Sequence, residues 1–195
     1  MLIEKSSKVL GDILTSMNSL YHRINPDNSI LKLNISRDVL NFSTGEKCEM
    51  QGGEDMVFSD EDIKKIAEIC SQENKYNLLF KDMLHGKPYT EENARTFIEW
   101  IKGGWEKQTH YVFIIRNPDA KIVGCVDIKG PGGEIGYWAD ENYAGFMTNA
   151  VKELSSVAKD AGFEELFAWV RETNNKSIGV LERAGYKKAF EEEKI

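Results

Sequence analysis

Three apolar segments of strand type, followed by a strict alternation of helix and strand patterns, set the tightest limit on what this chain can fold into. Tyr111-Val112-Phe113-Ile114-Ile115 is rich in β-branched and aromatic residues and is closed by the turn sequence Asn117-Pro118-Asp119-Ala120. Ile122 to Ile128 follows, so the two segments are predicted to form a hairpin. Pro131-Gly132-Gly133 makes a second turn before Glu134-Ile135-Gly136-Tyr137-Trp138. A long helix from Phe146 to about Ala161, a strand over 166–170, a short helix over 174–184 and a strand over 186–190 complete the pattern. Strands that adjoin in sequence pair antiparallel, and a strand reached through a helix pairs parallel. The expectation is an α/β protein with one mixed sheet, antiparallel first and parallel later, with helices on its faces.

The upstream half carries weaker signals. Leu2, Val9, Leu10, Ile13, Leu14, Met17 and Leu20 fall at helical spacing, and Asn25-Pro26-Asp27-Asn28 is a turn. The organisation expected is an amino-terminal helical extension over 1–29 and a single domain over 30–195. Short strands are predicted around Leu33, Ile35, Leu40, Phe42, Cys48 and Met50, and the acidic run from Glu46 to Asp62 reads as a solvated loop. Ser59-Asp60-Glu61-Asp62 is a capping-box pattern ahead of the apolar positions Ile63, Ile66, Ala67 and Cys70. A further helix starts at Thr90-Glu91-Glu92 and is expected to stop at Gly103-Gly104, while Tyr76 to Phe80 is apolar without a period.

Charge and cysteine usage narrow the function. The 195 residues carry 25 Lys and Arg against 32 Asp and Glu, a net charge of −7. That balance opposes binding to nucleic acid or an anionic membrane, which needs clustered cations. No apolar run is long enough to span a bilayer, and the first residues lack the apolar core of a secretory signal. Cys48, Cys70 and Cys125 are widely spaced, which suits three reduced thiols in a cytoplasmic protein. His22, His85 and His110 have no paired spacing, so no metal site is expected. Cys125 lies in an apolar strand and reads as an inert core thiol.

Four pieces of the second half resemble the GNAT superfamily of acyl-CoA-dependent N-acetyltransferases, and within it the RimJ/RimL type. Lys121 to Ile128 is similar to the family's central strand with its glycine, and Glu134 to Trp138 to the strand after it. Phe146-Met147-Thr148-Asn149-Ala150-Val151 resembles the start of the helix under the cofactor. Asn174-Asn175-Lys176-Ser177 with Val180-Leu181-Glu182-Arg183-Ala184-Gly185-Tyr186 resembles the late N-x-x-S and leucine-glutamate-glycine element. The resemblance implies the GNAT fold and direct transfer of acetyl from acetyl-CoA to a primary amine, with a protein amino terminus favoured. A small cationic metabolite or antibiotic is the other acceptor class. A domain of this fold that has lost catalysis and serves as a cofactor sensor or interaction module is the rival reading. No oligomeric state follows from it.

The same resemblance assigns candidate residues. A turn entering a helix offers free N–H groups and the positive end of a dipole to a pyrophosphate, which points to Asn142, Ala144, Gly145, Phe146, Met147 and Thr148. The strand edge over 135–139 offers peptide groups to the amide-bearing arm of the cofactor, and Trp138 and Ala139 are its contact residues. Asn174 is expected against the pantetheine or as a helix cap, and Ser177 beside the departing sulfur. Glu134 is the carboxylate expected to act as the base near the amine, with Glu172 in reserve. Two departures stand out. The family's loop pattern Gln/Arg-x-x-Gly-x-Gly/Ala is shortened here: Asn142, Gly145 and Met147 align with it, or else Ala144 replaces the arginine. Either way the loop lacks a cation, and losing a charge-assisted phosphate contact weakens binding by about ten- to a hundredfold. The family also closes with a hairpin after the last helix, whereas this sequence ends at Glu191-Glu192-Glu193-Lys194-Ile195. The segment before Ile30 is a candidate to cover that sheet edge.

Overall fold

The computed structural model of the protein describes residues 2–5, 34–130 and 132–190. In chain order the elements are β1 (Leu2–Lys5), β2 (Ile35–Leu40), β3 (Lys47–Gly52), α1 (Asp60–Cys70), α2 (Glu91–Lys107), β4 (His110–Arg116), β5 (Ile122–Lys129), β6 (Glu134–Ala139), α3 (Met147–Asp160), β7 (Leu166–Trp169), α4 (Asn175–Arg183) and β8 (Lys187–Phe190). All eight strands form one sheet in the order β2-β3-β4-β5-β6-β7-β1-β8. Neighbours from β2 to β6 are antiparallel, β6 and β7 are parallel, and β1 is antiparallel to both β7 and β8. The mixed sheet expected from the sequence is therefore present.

The amino terminus departs from expectation. Leu2–Lys5, read as the first turn of a helix, is a strand that pairs Leu2 with Trp169 on one side and Phe190 on the other. It lies between β7 and β8, so the start of the chain supplies an interior strand and does not simply cover an outer sheet edge. A strand flanked on both sides satisfies twice as many peptide groups as a frayed helical turn, and that outweighs the helical spacing of Leu2. The rest of the expected helix and the turn after it lie outside the described residues.

Two packed layers flank the sheet. Side chains alternate along β5: a Cβ on Gly124 would meet the Phe146 ring at the start of α3, while Trp138, across from Cys125, packs on Phe97 of α2. Hence α1 and α2 cover one face and α3 the other. Burial of Tyr111 to Ile115, Ile122, Val126 and Ile128 with Ile66, Ile101, Trp105, Val151 and Leu154 forms one continuous core.

The predicted cap of α1 forms, and the predicted start of α2 carries one as well. Ser59 and Asp62 exchange hydrogen bonds at the start of α1, and Thr90 and Asn93 do so at the start of α2. Asp62 also takes both guanidinium nitrogens of Arg116, at 2.6 and 3.1 Å, which ties α1 to the end of β4. Burial pushes the Asp62 carboxyl up, but Arg116 and the Ser59 N–H together hold it below the usual carboxylate range. The acidic run is thus only partly a solvated loop, since 47–52 is strand and Asp62 is buried. Helix α2 runs through Gly103-Gly104 to Lys107 and ends on a left-handed Gln108. Gly104 sits against the His110 ring, and Trp105 Nε1 donates to the Val112 carbonyl at 2.9 Å, so the last turn is fixed by tertiary contacts that propensity ignores. Tyr76–Phe80, without a period in sequence, is a π-helical turn.

Candidate active site

The parallel seam between β6 and β7 is short. Glu134 pairs with Phe167, and the Phe167 N–H donates to the Gly133 carbonyl at 3.0 Å. Beyond Glu134 no residue of β6 pairs with β7, so the two strands part and leave the 135–139 edge of β6 open among the described residues. Gly133 makes the apex possible. Its φ is +78°, and a Cβ there would run into the Glu165 carbonyl oxygen, a backbone atom that cannot swing away.

Past Ala139 the chain turns through 140–146 into α3. Asp140 is buried and organises this turn: its carboxylate accepts from Lys65 Nζ at 2.7 Å, Gln72 Nε2 at 2.7 Å and the Asn142 N–H at 2.9 Å. Burial drives its pKa up, yet these three donors outweigh that and hold it low. Gln72 also accepts the Glu141 N–H at 3.0 Å, so this residue, two positions past the end of α1, grips two consecutive loop residues. From the other side the Phe42 N–H donates to the Gly145 carbonyl at 3.0 Å, and the φ of +104° at Gly145 brings the loop against Asn41 and Ser43. Phe146 occupies the N-cap of α3 with no side-chain cap, which leaves the first-turn N–H groups of Met147, Thr148 and Asn149 to another acceptor.

The remaining candidates fall as follows. Asn142 and Ala144 are exposed, Gly145 is half-buried, and Phe146, Met147 and Thr148 are buried at the loop–helix junction. Trp138 packs under α2, and Ala139 pairs with Gly124. Asn174 is the N-cap of α4, accepting the Ser177 N–H at 3.2 Å. The Ser177 carbonyl accepts from Tyr137 Oη at 3.1 Å, a bond that reaches across from β6 and fixes the first turn of α4 at the cleft. Glu134 lies at the apex with Lys129 Nζ 2.9 Å away. Glu172 is exposed in the turn after β7. The β6 strand thus carries Glu134 at its start and leads at its end into the α3 N-terminus, Tyr137 on its other face ties it to Ser177, and Glu172 is exposed in the turn after β7.

The sequence profile of the acetyltransferase (GNAT) domain matches residues 57–187, which include the cleft and both of its helices. The chain belongs to the GNAT acetyltransferase family. No curated protein sequence matches it. Among solved structures, this GNAT chain resembles Mycobacterium smegmatis RimJ in complex with CoA-disulfide, at a TM-score of 0.60 and 16% identity over 77% of this chain and 74% of that one. It also resembles the ribosomal-protein-S5-alanine acetyltransferase of Vibrio fischeri (TM-score 0.55, 17% identity, 77% and 82% covered). A third neighbour is the microcin C7 self-immunity acetyltransferase MccE, in complex with acetyl-CoA and AMP (TM-score 0.54, 18% identity, 71% and 77% covered).

The site of this GNAT chain fits an acyl-CoA. The open β6 edge suits an amide-bearing arm, and the uncapped α3 N-terminus suits phosphate oxygens. The loop lacks a cation, but one from another helix stands beside the start of α3. Arg183, in the last turn of α4, reaches the first turn of α3 and donates from Nε to Thr148 Oγ1 at 3.4 Å. Its signal in the sequence was Gly179, one helical turn earlier, where a Cβ would stand 2.9 Å from Arg183 Nη1. Arg183→Ala is expected to weaken CoA binding by about tenfold, through loss of a charge-assisted contact, with little change in stability. Isothermal titration at two salt concentrations checks this, because the lost contact also flattens the salt dependence.

Among the described residues no group of three or more His, Cys, Asp or Glu side chains is placed to hold a metal ion, and no helix is long and apolar enough to cross a membrane. Cys48, Cys70 and Cys125 are free and buried, and burial pushes the Cys70 thiol up to about 12 and Cys125 well above its ordinary value, so the latter is a core thiol as read.

Proposed function

We propose that the chain is a cytoplasmic N-acetyltransferase that moves acetyl from acetyl-CoA to a primary amine by direct attack, with an α-amine at a protein amino terminus as the favoured acceptor. The observation that carries this reading is the cleft between β6 and β7, which has the uncapped start of α3 at one end and Glu134 at its apex, with Ser177 on its wall. Acetyl-CoA, when bound, supplies a thioester carbonyl open to attack. The peptide groups of 135–139 hold its arm in an extended form, and the first turn of α3 with Arg183 takes the phosphates. Ser177, fixed by Asn174 and Tyr137, sits where a hydroxyl can hydrogen-bond the departing sulfur. Glu134 stands near the entering amine, with Lys129 setting its orientation.

The acceptor class follows from proton arithmetic. An α-amine with a pKa near 7.8 is about one-third neutral at pH 7.5, whereas a lysine near 10.4 is about 0.1% neutral. That is a gap of roughly 3.5 kcal/mol, which a weakly basic site does not bridge. The RimJ and ribosomal-protein neighbours support the α-amine reading. A small amine is the second acceptor class, supported by the likeness to MccE. A non-catalytic binding domain is the rival, supported by the loop without a cation, and Arg183 weakens that support.

Titration of acetyl-CoA and desulfo-CoA into the protein tests the reading. Micromolar affinity is expected. No binding up to about a millimolar, a free energy weaker than roughly −4 kcal/mol, overturns it. Ser177→Ala is expected to lower kcat on amino-terminal peptides by about ten- to a hundredfold at unchanged acetyl-CoA affinity, read by single-turnover kinetics.

A further inference from the structure

One buried carboxylate beside the β6 edge is only half satisfied. Asp127 lies in the middle of β5, in a strand whose other residues from Ile122 to Ile128 are all buried and otherwise apolar or glycine. It is 8% exposed, and its Oδ1 has no hydrogen-bond partner. Buried polar atoms are satisfied in the great majority of cases, and an orphaned carboxylate oxygen is costly enough to need a reason. Its neighbours point to that reason. Asp127 is opposite Gly136 on β6, and a Cβ on Gly136 would come within 2.9 Å of both carboxylate oxygens. Gly136 stands two residues after Glu134, the one β6 residue paired with β7, and the room its missing side chain leaves is filled by the Asp127 carboxylate and the Lys129 stem, so the carboxylate lies over β6 close to where its edge becomes free.

We propose that Asp127, whose carboxylate lies over Gly136, is the group that takes the proton from the acceptor amine, with the Lys129–Glu134 ion pair beside it orienting that amine. The inference rests on the amine-acetylation reading and deepens it by naming the proton acceptor. The amine lone pair forms the new C–N bond as the thioester C–S bond breaks, with the electron pair leaving on sulfur. The proton lost by nitrogen goes to Asp127 and then to solvent. The sulfur takes a proton from the Ser177 hydroxyl, which recovers one from solvent, so atoms and charge balance.

The surroundings of Asp127 suit this role. On the same face of the sheet stand Cys125 and Lys129 from β5, Glu134 from β6 and His110 from β4, where Val112 is directly opposite Asp127. Ring contacts run from Trp138 through Phe97 and Trp100 to His110, so α2 lays an aromatic cover over this face. Burial, aided by Glu134 and opposed by Lys129 and the Gly136 N–H, raises the carboxyl to about 6. A base at that value is ionised at neutral pH and basic enough to take a proton from an α-ammonium in the transition state. Glu134, one-third exposed and paired with Lys129, has neither the burial nor an orphaned oxygen.

The test uses the full-length protein, peptides with free α-amines, and their amino-terminally blocked counterparts carrying lysine. Asp127→Asn is expected to lower kcat at least a hundredfold and to leave desulfo-CoA affinity unchanged. In the wild type, kcat/KM is expected to fall on the acid side in two steps, one at the α-amine near 7.8 and a second, lost in Asp127→Asn, near 6. Carbon-13 NMR of the protein without cofactor supplies a readout independent of turnover: one aspartate carboxyl, absent from Asp127→Asn, titrates near 6. Asp127→Asn with wild-type kcat and an unchanged acid limb overturns the role of Asp127 alone, as does a carboxyl titrating in the ordinary aspartate range. Wild-type protein that binds acetyl-CoA and acetylates neither peptide class overturns the activity reading instead.

Discussion

Asp127→Asn is expected to make the protein more stable at pH 7.5 while removing its activity. The folded carboxyl stands at about 6 against an ordinary aspartate value of 3.8, so ionising it in place costs roughly 3 kcal/mol more than in the unfolded chain. The sign is fixed by proton counts. Between about pH 4 and 6 the folded state holds a proton that the unfolded state has released, so this group contributes stability below about pH 4, and that contribution is lost as pH rises through 6. An asparagine carries no charge to desolvate. Its own N–H groups, close to Lys129, return part of the gain, leaving about 1–2 kcal/mol. For a chain of this length that corresponds to a Tm increase of about 2–8 °C at pH 7.5, shrinking to nothing near pH 4. Differential scanning calorimetry at the two pH values measures it. A variant less stable than wild type at pH 7.5 would mean that the carboxylate holds the fold together, a structural duty incompatible with the role assigned to it. Strain that is kept for function and relieved by substitution is the pattern expected at a working site.

The second large effect concerns the strand from the far end of the chain. Ile3 is opposite Ala168 on β7 and Lys188 on β8, so β1 is an interior strand. Proline there removes an N–H from a ladder and clashes with the flanking backbone, at a cost of at least about 3 kcal/mol. Ile3→Pro is therefore expected to move the urea midpoint down by roughly 1–3 M, given a slope of about 1–3 kcal/mol per molar. Acetyl-CoA affinity should fall with it, because β7 forms one side of the cleft and loses its partner on the other edge. An unchanged midpoint would mean that β1 adds nothing to the sheet, and that β7 and β8 stand without it.

Most of the sheet was legible because its signals are local. The hairpin of β4 and β5, the strand β6, the Ser59 capping box, the start of α2 at Thr90 and the Asn174 cap each rest on residues within a few positions of one another. What escaped was set by distant partners. Leu2–Lys5 carries apolar residues that fit a helix as well as a strand, and only β7 and β8 decide between them. Gly103-Gly104 reads as a stop, yet His110 and Val112 demand a backbone without a side chain and one further turn. The site divides in the same way. The loop, Ser177 and Asn174 were visible as a motif, whereas Arg183 serves α3 from another helix. Asp127 was in plain view as a charge inside an apolar strand, but its meaning depends on Gly136 across the sheet, which pattern reading treats as an ordinary strand glycine.

The placement of β1 also sets an order of events. Leu2 pairs with Trp169, 167 positions further along the chain, and with Phe190 beyond that. At about 5–20 residues per second, a ribosome makes β1 on the order of ten to thirty seconds before its partners exist. Until then β7 and β8 have no neighbour between them, and closing so long a loop is among the slowest steps in forming a sheet. The double pairing of this strand therefore cannot be complete until β8 has been made, and it then backs β7, the wall of the cleft, from its other edge. A nascent or stalled chain holds most of the core while presenting two unpaired strand edges, and those edges are where a chaperone or a second copy of the chain would attach.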